Sequence, residues 1–164
     1  MKKQNLTIGD KVSNLFLSFF GSGYFPFAPG TAGSLATIPL FFLFSWLEFS
    51  LSIFVSLVVV LTIVACLVTE HIQTKFKVHD PGWIVIDEVI GMLITWAFTY
   101  LNTNFLPVAL GFGLFRFFDI VKIWPASYFD KKVRHGAGTI LDDVVSGVFA
   151  GLSLLAINYF YKFL

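Results

Sequence analysis

One cysteine, Cys66, stands in the whole chain, and it lies inside an apolar run. That excludes an intrachain disulfide and any metal centre built on clustered thiolates. No arginine follows Cys66 in a phosphate loop, and no Asp-x-Asp pair with a following Thr or Val is present. The usual signatures of a covalent phosphoenzyme are therefore missing. Charge is scarce too. Asp, Glu, Lys and Arg make up 13% of the residues, against about 25% in a typical soluble domain. No basic cluster resembles a nucleic-acid footprint, so that partner class is set aside. Lys2 and Lys3 open the chain, but Lys11 interrupts any early apolar core. No cleavable signal is expected, and targeting would reside in the membrane segments themselves.

What the chain does have is hydrocarbon. It is 57% hydrophobic, with a mean hydropathy of +0.82, which points to an integral membrane protein. A spanning helix needs about 20 largely apolar residues. Residues 49–69 are uncharged and form the clearest span. Residues 30–47, 84–101, 105–123 and 140–161 are further candidates, and Glu48 alone separates 30–47 from 49–69 in a tight hairpin. Residues 12–20 are too short to span and read as an interfacial helix. The expected fold is therefore all-α: a polytopic helical membrane protein of about four to five segments in a single domain, residues 1–164. Lys2, Lys3, Lys11, Lys75, Lys77, Arg116, Lys122, Lys131, Lys132 and Arg134 all fall on one side of alternating spans, with Lys162 the exception. The excess of positive charge marks that side as cytoplasmic, so an active site is expected there.

The stretch "GWIVIDEVIGMLITW" (82–96) sets Asp87 and Glu88 among residues that favour lipid. Asp80-Pro81 has the form of a helix start, with Asp80 as N-cap and Pro81 at the first helical position. On that helix Asp80, Asp87 and Gly91 share a stripe about 20° wide. Capping accounts for Asp80 without chemistry. It does not account for two carboxylates two turns further in, because charge at that depth is costly and faces a partner or a wet cavity.

Other charged residues come with structural explanations of their own. Arg116, Asp119 and Lys122 can pair locally at three-residue spacing; alternatively Asp119 ligates a metal while Arg116 or Lys122 reaches a phosphate. Thr139 and Asp142 fit a capping box, whereas Asp143 beside them lacks that reason. The loop Arg134-His135-Gly136-Ala137-Gly138 is basic and glycine-rich and can turn N–H groups toward an anion. In "GSGYFPFAPGTAGSL" (21–35), Thr31 and Ser34 can cap the helix that follows, whose N-terminus can receive a phosphate. Thr7 and Asp10 form another capping box, with no chemistry assigned to Asp10.

Asp80, Asp87, Glu88, Asp119, Asp142 and Asp143 thus converge from three helix ends on one side, alongside basic residues. Hard carboxylate oxygens with few histidines suit Mg²⁺ better than Zn²⁺. The expectation is a Mg²⁺-dependent enzyme acting on a phosphorylated molecule at the cytoplasmic surface. Those six carboxylates are the candidate metal ligands. Arg116, Lys122, Arg134 and Thr31 are the candidates for binding phosphate, and His135 for protonating the leaving group.

Four blocks carry a resemblance: "GYFPFAPGTAGSLATIP", "HDPGWIVIDEVIGMLI", "LFRFFDIVKIWPASYFD" and "HGAGTILDDVVSG". In this order they resemble the phosphatidylglycerophosphatase A family, with Ile123 standing where that family usually has proline. The resemblance implies a Mg²⁺-dependent phosphatase of bacterial inner membranes that converts phosphatidylglycerophosphate to phosphatidylglycerol and inorganic phosphate. The matching polar residues are Asp80, Asp87, Glu88, Arg116, Asp119, Lys122, Asp130, His135, Asp142 and Asp143. A CDP-alcohol phosphotransferase is the nearest alternative, but its Asp-Gly-x-x-Ala-Arg signature is absent. A small ion or proton channel would place ionisable residues at depth from both faces, whereas these cluster on one.

Overall fold

The computed structural model describes residues 6–99 and 102–161. Lys2, Lys3 and Lys162, and the end of the candidate span at 100–101, lie outside the described residues. Among the described residues seven α-helices follow one another: α1 (Ile8–Leu17), α2 (Pro29–Trp46), α3 (Leu51–Phe76), α4 (Ile86–Ala97), α5 (Phe105–Val121), α6 (Ala126–Lys132) and α7 (Gly136–Tyr161). No strand occurs among the described residues. The all-α expectation holds.

Helix α1 opens on the expected capping box: the Thr7 hydroxyl accepts from the Asp10 amide at 3.3 Å, and Asp10 Oδ2 accepts from the Thr7 amide at 2.8 Å. The helix exposes Ile8, Val12 and Leu15, which lie on one face at helical spacing. Its inner face packs Phe16 and Leu17 on the core. Lys75 at the end of α3 reaches Asp10 at 2.5 Å and ties the two helices together.

Helices α3 and α7 have 26 residues each and are long and apolar enough to cross a membrane. At 1.5 Å per residue each runs about 39 Å, beyond the ~30 Å hydrocarbon core. On α3, Val59, Val60, Ile63 and Leu67 are exposed, which suits contact with lipid. The other candidate segments form shorter helices. Helix α4 has 12 residues, about 18 Å of rise, which does not cross that core by itself.

Three expected helix starts move. Asp80 is not an N-cap; it has φ +42°, and Pro81-Gly82 make a turn closed by Ile84 N–H on the Pro81 carbonyl. The Val85 amide donates to Leu17 O at 2.9 Å, holding residues 79–85 against the end of α1. Helix α4 then begins at Ile86, so Asp87 and Glu88 sit in its first turn rather than two turns in. Helix α2 begins at Pro29, so Thr31 and Ser34 are helical residues and not caps; Ser34 Oγ donates back to Gly30 O. Helix α7 begins at Gly136, three residues before the expected Thr139 cap. Its first amide donates to Glu70 Oε2 at 2.6 Å, a cap supplied from α3. Thr139 instead accepts from Gln73 Nε2 at 2.9 Å.

Helix α7 is the axis of the bundle, packed by α3, α4, α5 and α6. Ile90, Leu93, Phe115, Ile140 and Ala150 fill the core around it. Trp96 stacks on Phe41 with ring centroids 4.4 Å apart, fastening α2 to α4.

Candidate active site

The ends of four helices surround a cavity of about 300 Å³. The first turn of α4 contributes Asp87 and Glu88. The last two turns of α5 and its C-cap contribute Arg116, Asp119 and Lys122. The second turn of α7 adds Asp142 and Asp143, and the 79–85 segment adds Asp80 at the mouth. Ala28, Pro29 and Gly30 close the side where α2 begins. All six candidate metal ligands therefore line one cavity, with two of the four candidate phosphate ligands beside them.

Burial makes this an expensive arrangement. Asp87, Asp142 and Asp143 are 8%, 4% and 3% exposed, and Asp119 is 9%. Six carboxylates face two cations, a formal excess of four negative charges. Buried charge is tolerated only when paired and hydrogen-bonded. Arg116 Nη1 meets Asp119 Oδ2 at 2.6 Å, the expected i,i+3 pair, and donates to Ser34 Oγ at 3.4 Å. Lys122 departs from expectation. It is the left-handed C-cap of α5, φ +47°, and its side chain leaves the helix to bridge Asp142 of α7 and Asp130 of α6, the latter at 3.1 Å.

Those pairs leave a remainder. Glu88 Oε2, Asp142 Oδ1, Asp143 Oδ1 and Arg116 Nε are buried without a hydrogen-bond partner. One oxygen each from Asp87, Glu88 and Asp143 lies within 4.8 Å of the others. Three converging carboxylates, two of which (Glu88 and Asp143) hold a buried oxygen without a hydrogen-bond partner, fit a divalent cation such as Mg²⁺, which takes one or two carboxylates plus oxygens of water and phosphate. Close backbone approach makes the cluster possible: a Cβ on Gly30 would fall 2.1 Å from Glu88 Oε1.

Not every expected residue is here. Thr31 lies in the first turn of α2, but the neighbouring Gly30 lines the cavity instead. His135 stands outside it, with its side chain 76% exposed and Nδ1 3.7 Å from Glu70 Oε1. Arg134 borders a different cleft. Glu70 was missed in the sequence. Its partner Gly136 is 66 residues away, and nothing in a local pattern joins them.

Fold and site together define a class: a helical protein suited to membranes, with a carboxylate-lined cavity flanked by an arginine and a lysine. The family model for phosphatidylglycerophosphatase A matches residues 15–158. The phosphatidylglycerophosphatase A of Escherichia coli (strain K12) is 44% identical over 142 residues, covering 85% of this chain and 80% of that protein. That of Haemophilus influenzae is 38% identical over 141 residues, covering 85% of each. This chain belongs to the phosphatidylglycerophosphatase A family. No solved structure matches it.

Proposed function

We propose that this protein hydrolyses phosphatidylglycerophosphate to phosphatidylglycerol and inorganic phosphate, with Mg²⁺ as cofactor. It does so as a multi-pass protein of a bacterial inner membrane, with its cavity at the cytoplasmic face. One observation carries the reading: the carboxylates, Arg116 and Lys122 share a single cavity in a chain 44% identical to a phosphatidylglycerophosphatase A. The distribution of Lys and Arg supports the orientation, and the length of α3 and α7 supports the membrane.

We assign Asp87, Glu88 and Asp143 as the metal ligands, with Asp119 and Asp142 beside them. A Mg²⁺ ion held there would neutralise phosphoryl charge and make bound water more acidic. The rest falls to the chain. Arg116 presents a planar guanidinium whose Nε is unpartnered, suited to the phosphoryl oxygens. Lys122 adds a point charge where negative charge builds in the transition state. Water attacks phosphorus and gives up one proton to solvent, the bond from phosphorus to the glycerol oxygen breaks, and the departing alkoxide takes one proton in return. We assign that transfer to Asp80, because it is the exposed carboxylate of the cavity and exchanges protons with solvent.

The test is phosphate release from phosphatidylglycerophosphate by the full chain in detergent, with Mg²⁺ and with EDTA, compared against phosphatidic acid. Mg²⁺-dependent release that favours phosphatidylglycerophosphate is expected. Equal rates on phosphatidic acid would overturn the substrate, and full activity in EDTA the cofactor.

A further inference from the structure

Arg134, expected at the substrate phosphate, lines a second cleft of about 400 Å³ that shares no lining residue with the acidic cavity. That volume lies within the range of about 300–1,000 Å³ usual for ligand pockets. The cleft is built from the last turns of α3, from His79, and from the turn between α6 and α7. Its charge is the reverse of its neighbour's.

Lys77 is the left-handed C-cap of α3, φ +53°. Among the described residues, neither Lys77 nor Arg134 has a carboxylate within 4.0 Å. The one acid in the cleft, Glu70, is already engaged. Its Oε2 accepts from Gly136 N–H at 2.6 Å, its Oε1 accepts from Thr74 Oγ1 at 3.2 Å, and His135 stands 3.7 Å away. Beneath them, buried Gln73 is fixed by its bond to Thr139. The framework is therefore internally satisfied, while two cations, with His79 beside them, remain unmatched. An arginine fork and a lysine ammonium lining one concavity suit the oxygens of a phosphate group.

We propose that this cleft is a second anion site that binds a phosphate group through Lys77 and Arg134, outside the hydrolytic cavity. The phosphate can belong to an anionic lipid headgroup or be free in solution. His79 and Asp80 are consecutive and line the basic cleft and the acidic cavity respectively, so the second site opens beside the first.

The experiment uses the full chain in detergent with EDTA. Without a divalent cation the acidic cavity repels anions, so binding reports the basic cleft. Inorganic phosphate forms one titration, and micelles doped with phosphatidylglycerol form the other, with phosphatidylcholine micelles as the neutral control. Saturable binding of either anion, weakened about tenfold or more in Lys77→Gln/Arg134→Gln and retained in Lys77→Arg/Arg134→Lys, is expected. Saturation by phosphate assigns a soluble ligand; saturation by phosphatidylglycerol alone assigns a headgroup. A wild-type chain that binds neither probe overturns the proposal whatever the variants do. So does equal binding by a folded Lys77→Gln/Arg134→Gln protein.

Discussion

Gly91 of α4 and Gly147 of α7 touch backbone to backbone: a Cβ on Gly147 would lie 2.4 Å from the Gly91 carbonyl oxygen. Thr95 Oγ1 sits across the same crossing, 2.9 Å from Gly91 O and 3.3 Å from Gly147 O. One turn from this contact, Asp87 and Glu88 on α4 come within 4.8 Å of Asp143 on α7. The small residues thus let two carboxylate-bearing helices approach closely enough for the carboxylates of both to converge. Gly147→Ala has no flexible neighbour to displace, only backbone. Overpacking of this kind costs about 1–3 kcal/mol. A lower apparent Tm in detergent and at least a tenfold loss of phosphate release are expected. An unchanged Tm with full activity would show that the helices separate freely.

Lys122 joins three helices, since it belongs to the C-cap of α5 and meets Asp130 of α6 and Asp142 of α7. Removing its charge strands a buried carboxylate, a loss of several kcal/mol in such settings, about 3–5 when one partner of a buried pair is deleted. Lys122→Gln should therefore lose both stability and activity. Asp130→Asn leaves the lysine and its bond to Asp142 in place and should cost less than tenfold in phosphate release. Comparable losses for the two variants would mean that Asp130 does more than orient the lysine.

How far the sequence could be read depended on the range of each interaction. The Thr7–Asp10 box is local, and it forms as expected. The convergence of Asp87, Glu88, Asp119, Asp142 and Asp143 was legible because charge in apolar segments has few places to go. The helix starts were not. Asp80-Pro81-Gly82 satisfies the rules for a helix N-terminus and for a turn equally well. A contact outside the local pattern, Val85 N–H on Leu17 O, fixes the segment as it is. Glu70 capping α7 and Lys122 turning toward α6 and α7 likewise depend on neighbours that only the packed bundle supplies.

Asp10 gives the chain a dependence on acid. The ammonium of Lys75, with help from Thr7, lowers its carboxyl from the ordinary 3.8 to about 2. A carboxylate whose folded pKa is depressed stabilises the fold above its unfolded value, and that contribution disappears as pH falls through the folded one. The contribution is therefore whole at neutral pH and is lost between about pH 4 and pH 2. Asp10→Asn should have a lower apparent Tm than the native chain at pH 7. The gap should close as both are titrated toward pH 2. A gap of the same size at pH 2 would place the origin of the effect elsewhere, in the capping of α1.

Under the proposed assignment, metal binding and phosphate binding fall to different residues, and a Mg²⁺ titration would separate them. Asp143 offers a buried oxygen without a partner, whereas Arg116 is tied to Asp119 and Ser34 and offers donors. If Asp143 ligates Mg²⁺, Asp143→Asn removes a negative ligand and should raise the Mg²⁺ concentration for half-maximal activity by about tenfold or more. Arg116→Gln, by contrast, should raise KM for the lipid or lower kcat while leaving that concentration within about twofold. The assignment of Asp143 fails if its variant follows the native Mg²⁺ curve. A large shift in Mg²⁺ dependence for Arg116→Gln alone would mean that the guanidinium orders the carboxylates, holding Asp119 in place, and does not itself meet the phosphate.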